Sequence, residues 1–482
     1  MSVTGRVPFG TKLVYGSGDI LGGGALSIIN FYYAIFLTDV VGINPAYAGF
    51  VLLIGQSWNA VWAPFMGRLS DRTRTRFGRR KPYLIGGSTL LLVATVAVWT
   101  VAPFADEFLR LVYATAAYLV YVTAVVMVMV PYLALLPEIS PDYQERTSIN
   151  GIRFGFSGAA VLLAALVPMW IVGRFPDPRT GYIVMALVFG TIFSLPWVGI
   201  ALVVKERMPE ASEATRGEGW LKSFLSPLKI RTFRHVVVMY LVATLSTDVQ
   251  STITAYYVTY HLGRPGELSM ILGSIVIMTL IFLPIHTRVA NRIGKHRAFA
   301  LAAGLQVLTA LSMGLLPAAA PWWAIYGIAM VGGMGGGRTM LVWTMFPDAI
   351  DVVELETNRR FEGSLGGLMA MLRKTASAST IFVVLQLLAL SGYVSPGAGD
   401  PGVGFLHGPT QPAAVVTTIR IFIAGVPLVL LSIGVATAFR YRLDASTHRR
   451  VRDVLERRRA RTVPEQTPSD DAEAAALRRE LV

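Results

Sequence analysis

The stretch RLSDRTRTRFGRRK, residues 68–81, lies between two long apolar runs and decides how the chain folds. The runs at 47–67 and 82–103 are each close to the roughly 20 residues that a helix needs to cross a bilayer. A dense basic connector between two such runs is typical of a cytoplasmic loop, because Lys and Arg are retained on that side of the membrane. The stretch therefore predicts two membrane helices joined on the cytoplasmic side.

Apolar runs of spanning length recur along the whole chain. They fall at 14–38, 47–67, 82–103, 109–136, 150–173, 181–204, 235–261, 268–290, 298–317, 321–346, 366–393 and 414–439, and we number them spans one to twelve. We predict an all-α integral membrane protein with twelve transmembrane helices in two six-helix bundles. The predicted domains are an N-terminal bundle at 1–204, a cytoplasmic central linker at 205–232, a C-terminal bundle at 233–441, and a cytoplasmic tail at 442–482 that is basic and then disordered.

The composition supports a membrane location. Of 482 residues, 54% are apolar or aromatic and 15% are charged, too few charges to cover a soluble protein of this size. The net charge of +14 is explained by basic cytoplasmic loops, so we expect no nucleic acid partner. The connectors after spans one, nine and eleven contain almost no basic residues. These connectors are predicted to face outward, so both termini are predicted to lie in the cytoplasm. We expect the protein in the inner (plasma) membrane.

The two halves of the chain share short motifs. Tyr32-Tyr33-x-x-Phe36 near the outer end of span one is matched by Tyr256-Tyr257-x-x-Tyr260 near the outer end of span seven. The connector after span eight also repeats the spacing of the basic connector after span two. These matches favour an internal duplication, which is common in transporters.

Several motifs together resemble a known family. They are Lys12-Leu13-x-Tyr15-Gly16-x-Gly18, Leu37-Thr38-Asp39-Val40-Val41-Gly42, the connector from Asp71 to Pro82, Leu135-Leu136-Pro137-Glu138 with Glu145-Arg146-Thr147 and Arg153, and Asp348-x-x-Asp351 with Glu362 through Lys374. This set resembles the major facilitator superfamily and, within it, the glycoside–pentoside–hexuronide:cation symporter family. The resemblance implies a transporter that works by alternating access.

The chain departs from the family pattern at the cation site. In the symporters, span two carries two acids one turn apart, and here those positions are Asn59 and Ala63. A sodium-type cation needs charged oxygen ligands to offset its dehydration, so we predict a degenerate sodium site, no bound metal and no cofactor. The family's sugar-binding acids align with Gly23 and Met129. Sodium coupling and melibiose-like recognition are therefore not expected.

Few charged residues lie within the spans, and such residues are usually paired or functional. Asp19 lies one helical turn before Gly23 and either replaces the missing acid or is a wetted aspartate at the helix entry. Arg153 suits sugar hydroxyls or a carboxylate, or snorkels to the interface. Asp248 is predicted to face the cavity, and Lys374 aligns with the family's cavity lysine. Arg373 and Arg338 complete the set of intramembrane candidates.

Aromatic and cytoplasmic residues complete the predicted sites. Trp58, Tyr33 and Tyr257 are candidates for stacking on substrate, although most aromatic residues in such proteins serve packing or interfacial anchoring. The predicted inner gate consists of Asp71, Arg72, Arg79, Glu138, Arg146, Asp348 and Asp351. Ion pairs of this kind can form in one conformation and break in the other; the same basic residues also set the topology.

The function predicted from these features is transport of a small solute, most simply a sugar or glycoside, across the cytoplasmic membrane. A carboxylate that loses its cationic partner can take up a proton, so proton coupling through Asp19 or Asp248 is the leading hypothesis. An uncoupled facilitator and a carrier of a lysolipid or other amphiphile are the alternatives. No enzyme motif of the common classes occurs. We expect a monomer in contact with membrane lipid.

Overall fold

The computed structural model describes residues 7–140, 142–204, 206, 226–357, 362–395, 410–460 and 468–481. Most of the predicted linker at 205–232 lies outside those residues, as does Arg461 of the basic tail. Every span predicted from the sequence falls on helical structure. Nine helices in the described part of the chain are long and apolar enough to cross a membrane.

The helices have the following bounds. Span one combines Phe9–Gly16, Leu21–Ala25, Leu26–Ile28, Ile29–Tyr33 and Phe36–Val40; spans two to six are Pro45–Arg72, Lys81–Val98, Glu107–Ile139, Tyr143–Val172 and Pro178–Val203; span seven is Arg231–Tyr256 with Tyr257–His261; spans eight and nine are Leu268–Ile293 and Lys295–Leu315; span ten is Trp322–Met334, Gly335–Gly337 and Arg338–Thr357; spans eleven and twelve are Glu362–Leu390 and Ala413–Arg440; the tail forms Ala445–Ala460 and Pro468–Leu481.

Acidic or amide side chains fix where several helices begin. Asp106 and Asp142 accept hydrogen bonds from the backbone N–H groups three residues on, at 3.0 and 2.8 Å. Asp177 accepts from Arg179 and Thr180, and Asn44 accepts from Ala46 at 2.9 Å. Each cap satisfies a donor that the first turn leaves without a partner. These four residues therefore define where the helices of spans two, four, five and six begin.

Spans one and ten are irregular helices. Span one contains three π-helical segments, at Leu21–Ala25, Ile29–Tyr33 and Phe36–Val40. Span ten is interrupted by the 3₁₀ segment Gly335–Gly337. Such interruptions widen or redirect the backbone and often occur at functional positions. They also explain why neither span qualifies as one long continuous helix.

The chain packs into two compact units. The first consists of Met1–Glu213, Ser251–Val276 and Ala378–Ile419, and the second of Ala214–Gln250, Ile277–Ser377 and Arg420–Val482. The units thus cut through spans seven, eight, eleven and twelve, whereas the predicted domains followed chain order. The two six-helix bundles by chain order remain a prediction.

Each unit has its own apolar core. In the first unit, Tyr33, Phe36, Trp99 and Tyr182 form an aromatic cluster with ring centroids 4.8–6.1 Å apart. In the second unit, buried side chains of spans seven, nine, ten and twelve pack with apolar residues of the tail. Burial of this kind supplies packing attraction between helices whose outer surfaces face lipid.

The tail differs from the sequence prediction. Its basic part forms the helix Ala445–Ala460, but Pro468–Leu481, which we expected to be disordered, is also helical. Ala474, Leu477 and Leu481 are buried in the core of the second unit. The Pro-, Ser-, Asp- and Ala-rich composition of this end is typical of disorder, but Leu477 and Leu481 are one helical turn apart and form an apolar stripe.

Candidate functional site

Asp19 and Arg153 form an ion pair inside the first unit. Nε of Arg153 lies 3.2 Å from Oδ2 of Asp19, and a terminal nitrogen of Arg153 donates to Oδ1 at 3.2 Å. The guanidinium also donates to Asn150 at 2.9 Å and lies 5.1 Å from the ring centroid of Tyr132. The fixed fork of Arg153 therefore faces both oxygens of one carboxylate. Sequence reasoning singled out both residues, and the structure brings them together.

Two tyrosines fix the helices that carry this pair. The hydroxyl of Tyr15 donates to the carbonyl of Tyr132 at 2.9 Å, and the hydroxyl of Tyr132 donates to the carbonyl of Tyr15 at 3.0 Å. The two rings lie 4.5 Å apart. Since each ring spans the gap to the other backbone, spans one and four are held at a fixed separation beside Arg153.

The glycines of span one explain why the acid lies at position 19. A Cβ at Gly23 would lie 2.4 Å from Oγ and 2.5 Å from the backbone oxygen of Ser157, so no side chain fits there. A Cβ at Gly22 would lie 2.9 Å from Oδ1 of Asp19 and 3.5 Å from Cε of Met129. The carboxylate of Asp19 thus occupies space that the glycines leave open. Met129 gives this surface an apolar side chain where the family pattern has an acid.

Asp248 has a comparable partner in the second unit. Its carboxylate accepts from the two terminal nitrogens of Arg373 at 3.0 and 3.3 Å and from the hydroxyl of Ser377 at 2.6 Å. Asp248 is almost fully buried, and about a quarter of the Arg373 side chain is exposed. Lys374, which aligns with the family's cavity lysine, follows Arg373 directly on span eleven and is partly buried. The structure therefore pairs Asp248 with Arg373.

Arg338 begins the second half of span ten, just after the glycine interruption. Its guanidinium donates to Thr247 at 2.7 Å, to the carbonyl of Gly335 at 3.1 Å and to Gln306 at 3.3 Å. These partners are all neutral, although the residue is only 3% exposed. Arg338 thus ties the broken helix to span nine through Gln306 and to span seven through Thr247, the residue before Asp248.

A second buried carboxylate of the first unit has hydroxyl partners. Asp39 accepts from Thr38 at 2.6 Å, from Tyr260 at 2.6 Å and from Tyr393, and Thr38 is 3.0 Å from the hydroxyl of Tyr256. This Asp39 cluster joins span one to the ends of spans seven and eleven. The sequence offered a signal for it, since Asp39 lies in the motif from Leu37 to Gly42. That motif was used only for the family resemblance.

The aromatic candidates occupy different environments. Trp58 is 38% exposed, donates to Thr123 at 2.9 Å and stacks on Trp62 at 5.6 Å. Tyr33 and Tyr257 are fully buried. Of the three, Trp58 is the exposed ring. It stands next to Asn59, with Ala63 one turn further along the same helix.

Six of the seven predicted inner-gate residues have described ion pairs or hydrogen bonds within their own units. In the first unit, Arg79 and Arg80 pair with Glu138 at 2.5 and 3.0 Å, and Arg80 is 3.4 Å from Asp71. Arg146 donates to the carbonyl of Ser140 at 2.7 Å. Arg72 ends span two and is exposed.

The connector after span two is closed by a residue that sequence reasoning missed. Glu206 accepts from the backbone N–H groups of Arg79, Arg80 and Lys81 at 2.6, 3.0 and 2.9 Å. The turn needs Gly78, whose φ is +113°. The carboxylate therefore caps the start of span three and links it to the end of span six.

In the second unit, the acids after span ten have two partners. Asp348 pairs with Lys295 at 2.5 Å, and the His448 ring lies 3.0 Å from Asp351 and 3.8 Å from Asp348. Among the residues that the structure describes, no group of three or more side chains could hold a metal ion.

Comparison with known proteins gives a consistent result. The profile of the family described as MFS/sugar transport protein matches residues 14–445. An uncharacterized symporter of Synechocystis sp. is 28% identical and aligns with 94% of this chain and 97% of its own. The isoprimeverose transporter of Lactiplantibacillus pentosus is 25% identical over 91% and 89%, and the sodium-dependent lysophosphatidylcholine symporter 1-B of Danio rerio is 24% identical over 92% and 88%.

Solved structures show the same fold at low sequence identity. The nucleoside transporter NupG superimposes with a TM-score of 0.55 at 13% identity, covering 90% of this chain and 98% of its own. A proton dependent oligopeptide transporter gives 0.61 at 11% identity, covering 93% and 100%. The protein is a membrane transporter of the major facilitator type, and the chain belongs to the MFS/sugar transport protein family.

Proposed function

We propose that this transporter moves a small solute, in the first place a sugar or glycoside, by alternating access with proton coupling. The observation that carries the proposal is that each unit has an acid and an arginine paired within its spans, Asp19 with Arg153 and Asp248 with Arg373. The two acids that the family uses for a cation are replaced by Asn59 and Ala63. A guanidinium partner gives a buried acid the compensating charge that a metal ion would otherwise supply.

The pairs give the proposed coupling step a physical basis. Arginine donates to vicinal hydroxyls as readily as to a carboxylate. When a sugar takes the donors of Arg153 or Arg373, the acid beside it loses its compensating charge and can bind a proton. Release of the sugar restores the pair and expels the proton. Substrate binding and proton binding are thereby linked at the same two side chains.

The Asp39 cluster and the inner charges supply the proposed gates. Asp39 with Tyr260 and Tyr393 closes the predicted outer ends of spans one, seven and eleven. On the predicted cytoplasmic side, the charged residues of the predicted inner gate exchange partners between conformations.

The test is uptake into proteoliposomes, with isoprimeverose as the first probe. An imposed inward proton gradient should accelerate uptake, whereas a sodium gradient at constant pH should not. Asp19→Asn and Asp248→Asn should each abolish the response to the pH gradient. Asp453→Asn, an exposed acid on the tail, is the matched control. Uptake that ignores the pH gradient in every variant would identify an uncoupled facilitator and refute the coupling proposal.

A lysolipid carrier is the second candidate, and Met129 beside Asp19 favours it because this apolar side chain replaces a family acid. A related protein of similar coverage is named as a lysophosphatidylcholine symporter. Thermal shifts measured with a glycoside and with lysophosphatidylcholine separate the two candidates. Stabilisation by the lipid alone would refute the sugar assignment.

A further inference from the structure

Three arginines of the second unit lie at the start of span seven and the end of span twelve. Arg231 and Arg234 belong to the first turn of span seven, and Arg440 is the last residue of span twelve. The charges of all three act on the ring of His235, so the three side chains surround one residue. We call Arg231, Arg234 and Arg440 the arginine cluster.

Direct packing of the two spans brings these arginines together. A Cβ at Gly434 of span twelve would lie 2.9 Å from Cγ2 of Val242 of span seven. Nearer to the arginines, Phe233 of span seven and Ala438 of span twelve are buried in the same apolar core. The cluster therefore lies at one end of a closely packed helix pair, and both helices contribute to it.

The arginine cluster has no acidic partner within the part of the chain that the structure describes. There, none of its three side chains forms an ion pair or a hydrogen bond. Asp444, the next acid along the chain from Arg440, accepts from Ser446 and Thr447 instead. Like charges without a counter-ion repel one another, and the start of span seven adds the partial positive charge of a helix N-terminus. The cluster therefore attracts an anion.

The position of the cluster along the spans matches the headgroup layer of a bilayer. The apolar run of span seven begins at residue 235, and that of span twelve ends at residue 439. At 1.5 Å per residue, Arg231 lies about 6 Å beyond the first of these boundaries, and Arg440 directly follows the second. The polar headgroups of lipids begin at the edge of the hydrocarbon. Phe439, which is 74% exposed, adds an apolar ring beside Arg440 that an acyl chain can contact.

We propose that the arginine cluster binds the phosphate of an anionic phospholipid of the phosphatidylglycerol class. Guanidinium groups bind phosphate through paired hydrogen bonds, and basic pockets between membrane helices on the cytoplasmic side bind anionic headgroups. Arg234 and Arg440 are exposed and Arg231 is partly exposed, so a headgroup can reach all three. A zwitterionic lipid carries a positive group as well, which the cluster repels. The bound lipid would bridge the ends of spans seven and twelve.

This lipid site is separate from the proposed transport step. Asp248 follows Arg234 by 14 residues on span seven, which is about 21 Å along the helix. A phosphate held by the cluster therefore does not contact the Asp248–Arg373 pair. Lipid binding can be measured whether or not the transporter moves a sugar or a proton.

The test uses the full-length, delipidated protein in a neutral detergent and needs no transported solute. Phosphatidylglycerol, phosphatidylcholine and inorganic phosphate are titrated separately, and thermal unfolding is followed. We expect phosphatidylglycerol to raise the unfolding midpoint until it saturates, and the other two probes to leave the midpoint unchanged. Equal stabilisation by phosphatidylcholine would overturn the assignment to an anionic lipid. Equal stabilisation by inorganic phosphate would overturn the assignment to a lipid.

Substitutions assign the effect to the cluster. Arg231→Gln, Arg234→Gln and Arg440→Gln should each raise the half-saturating concentration of phosphatidylglycerol about fivefold, the equivalent of roughly 1 kcal/mol per arginine near an anionic headgroup. The triple variant should raise it by roughly two orders of magnitude, and Arg440→Lys, which keeps the charge, should raise it less than Arg440→Gln. Arg297→Gln is the matched control, because Arg297 is an exposed arginine on the first turn of span nine. An equal loss in Arg297→Gln would show a response to total charge and overturn the proposal.

The same variants give a second result without lipid. Removing one of three like charges relieves repulsion, so each Arg→Gln variant of the cluster should unfold at or slightly above the midpoint of the unmodified chain in lipid-free detergent. A midpoint well below that of the unmodified chain would show that the arginine has a partner in the protein. That result would overturn the proposal that a lipid supplies the counter-charge.

Discussion

Removing Asp248 and removing Arg373 from their ion pair should lower the stability of the protein by different amounts. The exposed fractions of the two side chains predict which loss is larger. The side chain of Asp248 is 3% exposed and that of Arg373 is 27% exposed. Arg373→Met leaves a buried carboxylate whose described hydrogen bond is from Ser377. Asp248→Asn leaves a cation that can extend toward water. Arg373→Met should therefore be the more damaging substitution.

The size of the effect follows from the geometry. At 3.0 Å and an effective dielectric constant of about 20, the gross attraction is roughly 5 kcal/mol. Desolvation of both groups offsets much of it. We expect Arg373→Met to cost about 3 kcal/mol, the lower end for breaking a buried pair, and Asp248→Asn about 1 kcal/mol. The double variant should then cost about 2 kcal/mol less than the sum of the single variants.

The assay is thermal unfolding in detergent, followed by the fluorescence of the nine tryptophans. The ranking of the midpoints carries the test, because a protein with two units need not unfold in one step. Ser377→Ala removes one hydrogen bond to the same carboxylate. It is the control for the loss of an uncharged hydrogen-bond donor. The reasoning is refuted if Asp248→Asn is the more destabilising single change, or if the two losses simply add.

Three further outcomes are expected. Tyr393→Phe removes one donor to Asp39 and should raise labelling of an introduced cysteine behind the cluster by an impermeant maleimide; unchanged labelling would count against an outer gate. Gly23→Ala places a Cβ 2.5 Å from a backbone oxygen and should lower stability by about 3 kcal/mol, whereas Gly10→Ala, with open space around it, should be neutral or slightly stabilising by thermal shift. Asp444→Ala removes the cap of the helix Ala445–Ala460 and should destabilise that helix by about 1 kcal/mol. Because the pKa of Asp444 is lowered to about 2, the cap of the unmodified chain should be fully effective above about pH 4 and be lost only as the pH falls toward about 2. The mobility of a nitroxide label attached to this helix measures both effects.

Much of the fold was predictable because hydrophobic length and basic loops are strong signals in a membrane chain. The helices were located, and the pairing of Asp19 with Arg153 was within reach, since the two belong to a short set of intramembrane charges. The pairing of Arg373 with Asp248 was not predictable. Adjacent residues on a helix point about 100° apart, so the side chains of span eleven that face span seven depend on a helix rotation set by tertiary packing.

Two other features escaped sequence reasoning for different physical reasons. Asp39 has hydroxyl partners from spans that lie more than 200 residues away in the sequence. The spacing of residues within one span does not predict contacts with distant spans. The second tail helix was missed because alanine and charged residues occur both in disordered segments and in helices. Its few leucines gain from burial only when span ten provides the opposite surface.

The substitutions in span two and the arginine pairs are consistent parts of one electrostatic arrangement. An acid inside a membrane span is costly and is usually paired with another charged group. With two acids at positions 59 and 63, a bound cation would provide that compensation; with Asn59 and Ala63 it is not needed there. Asp19 and Asp248 instead receive compensation from Arg153 and Arg373, which are fixed parts of the chain. In the proposed mechanism a proton therefore takes over the compensation of the acid when the substrate engages the arginine.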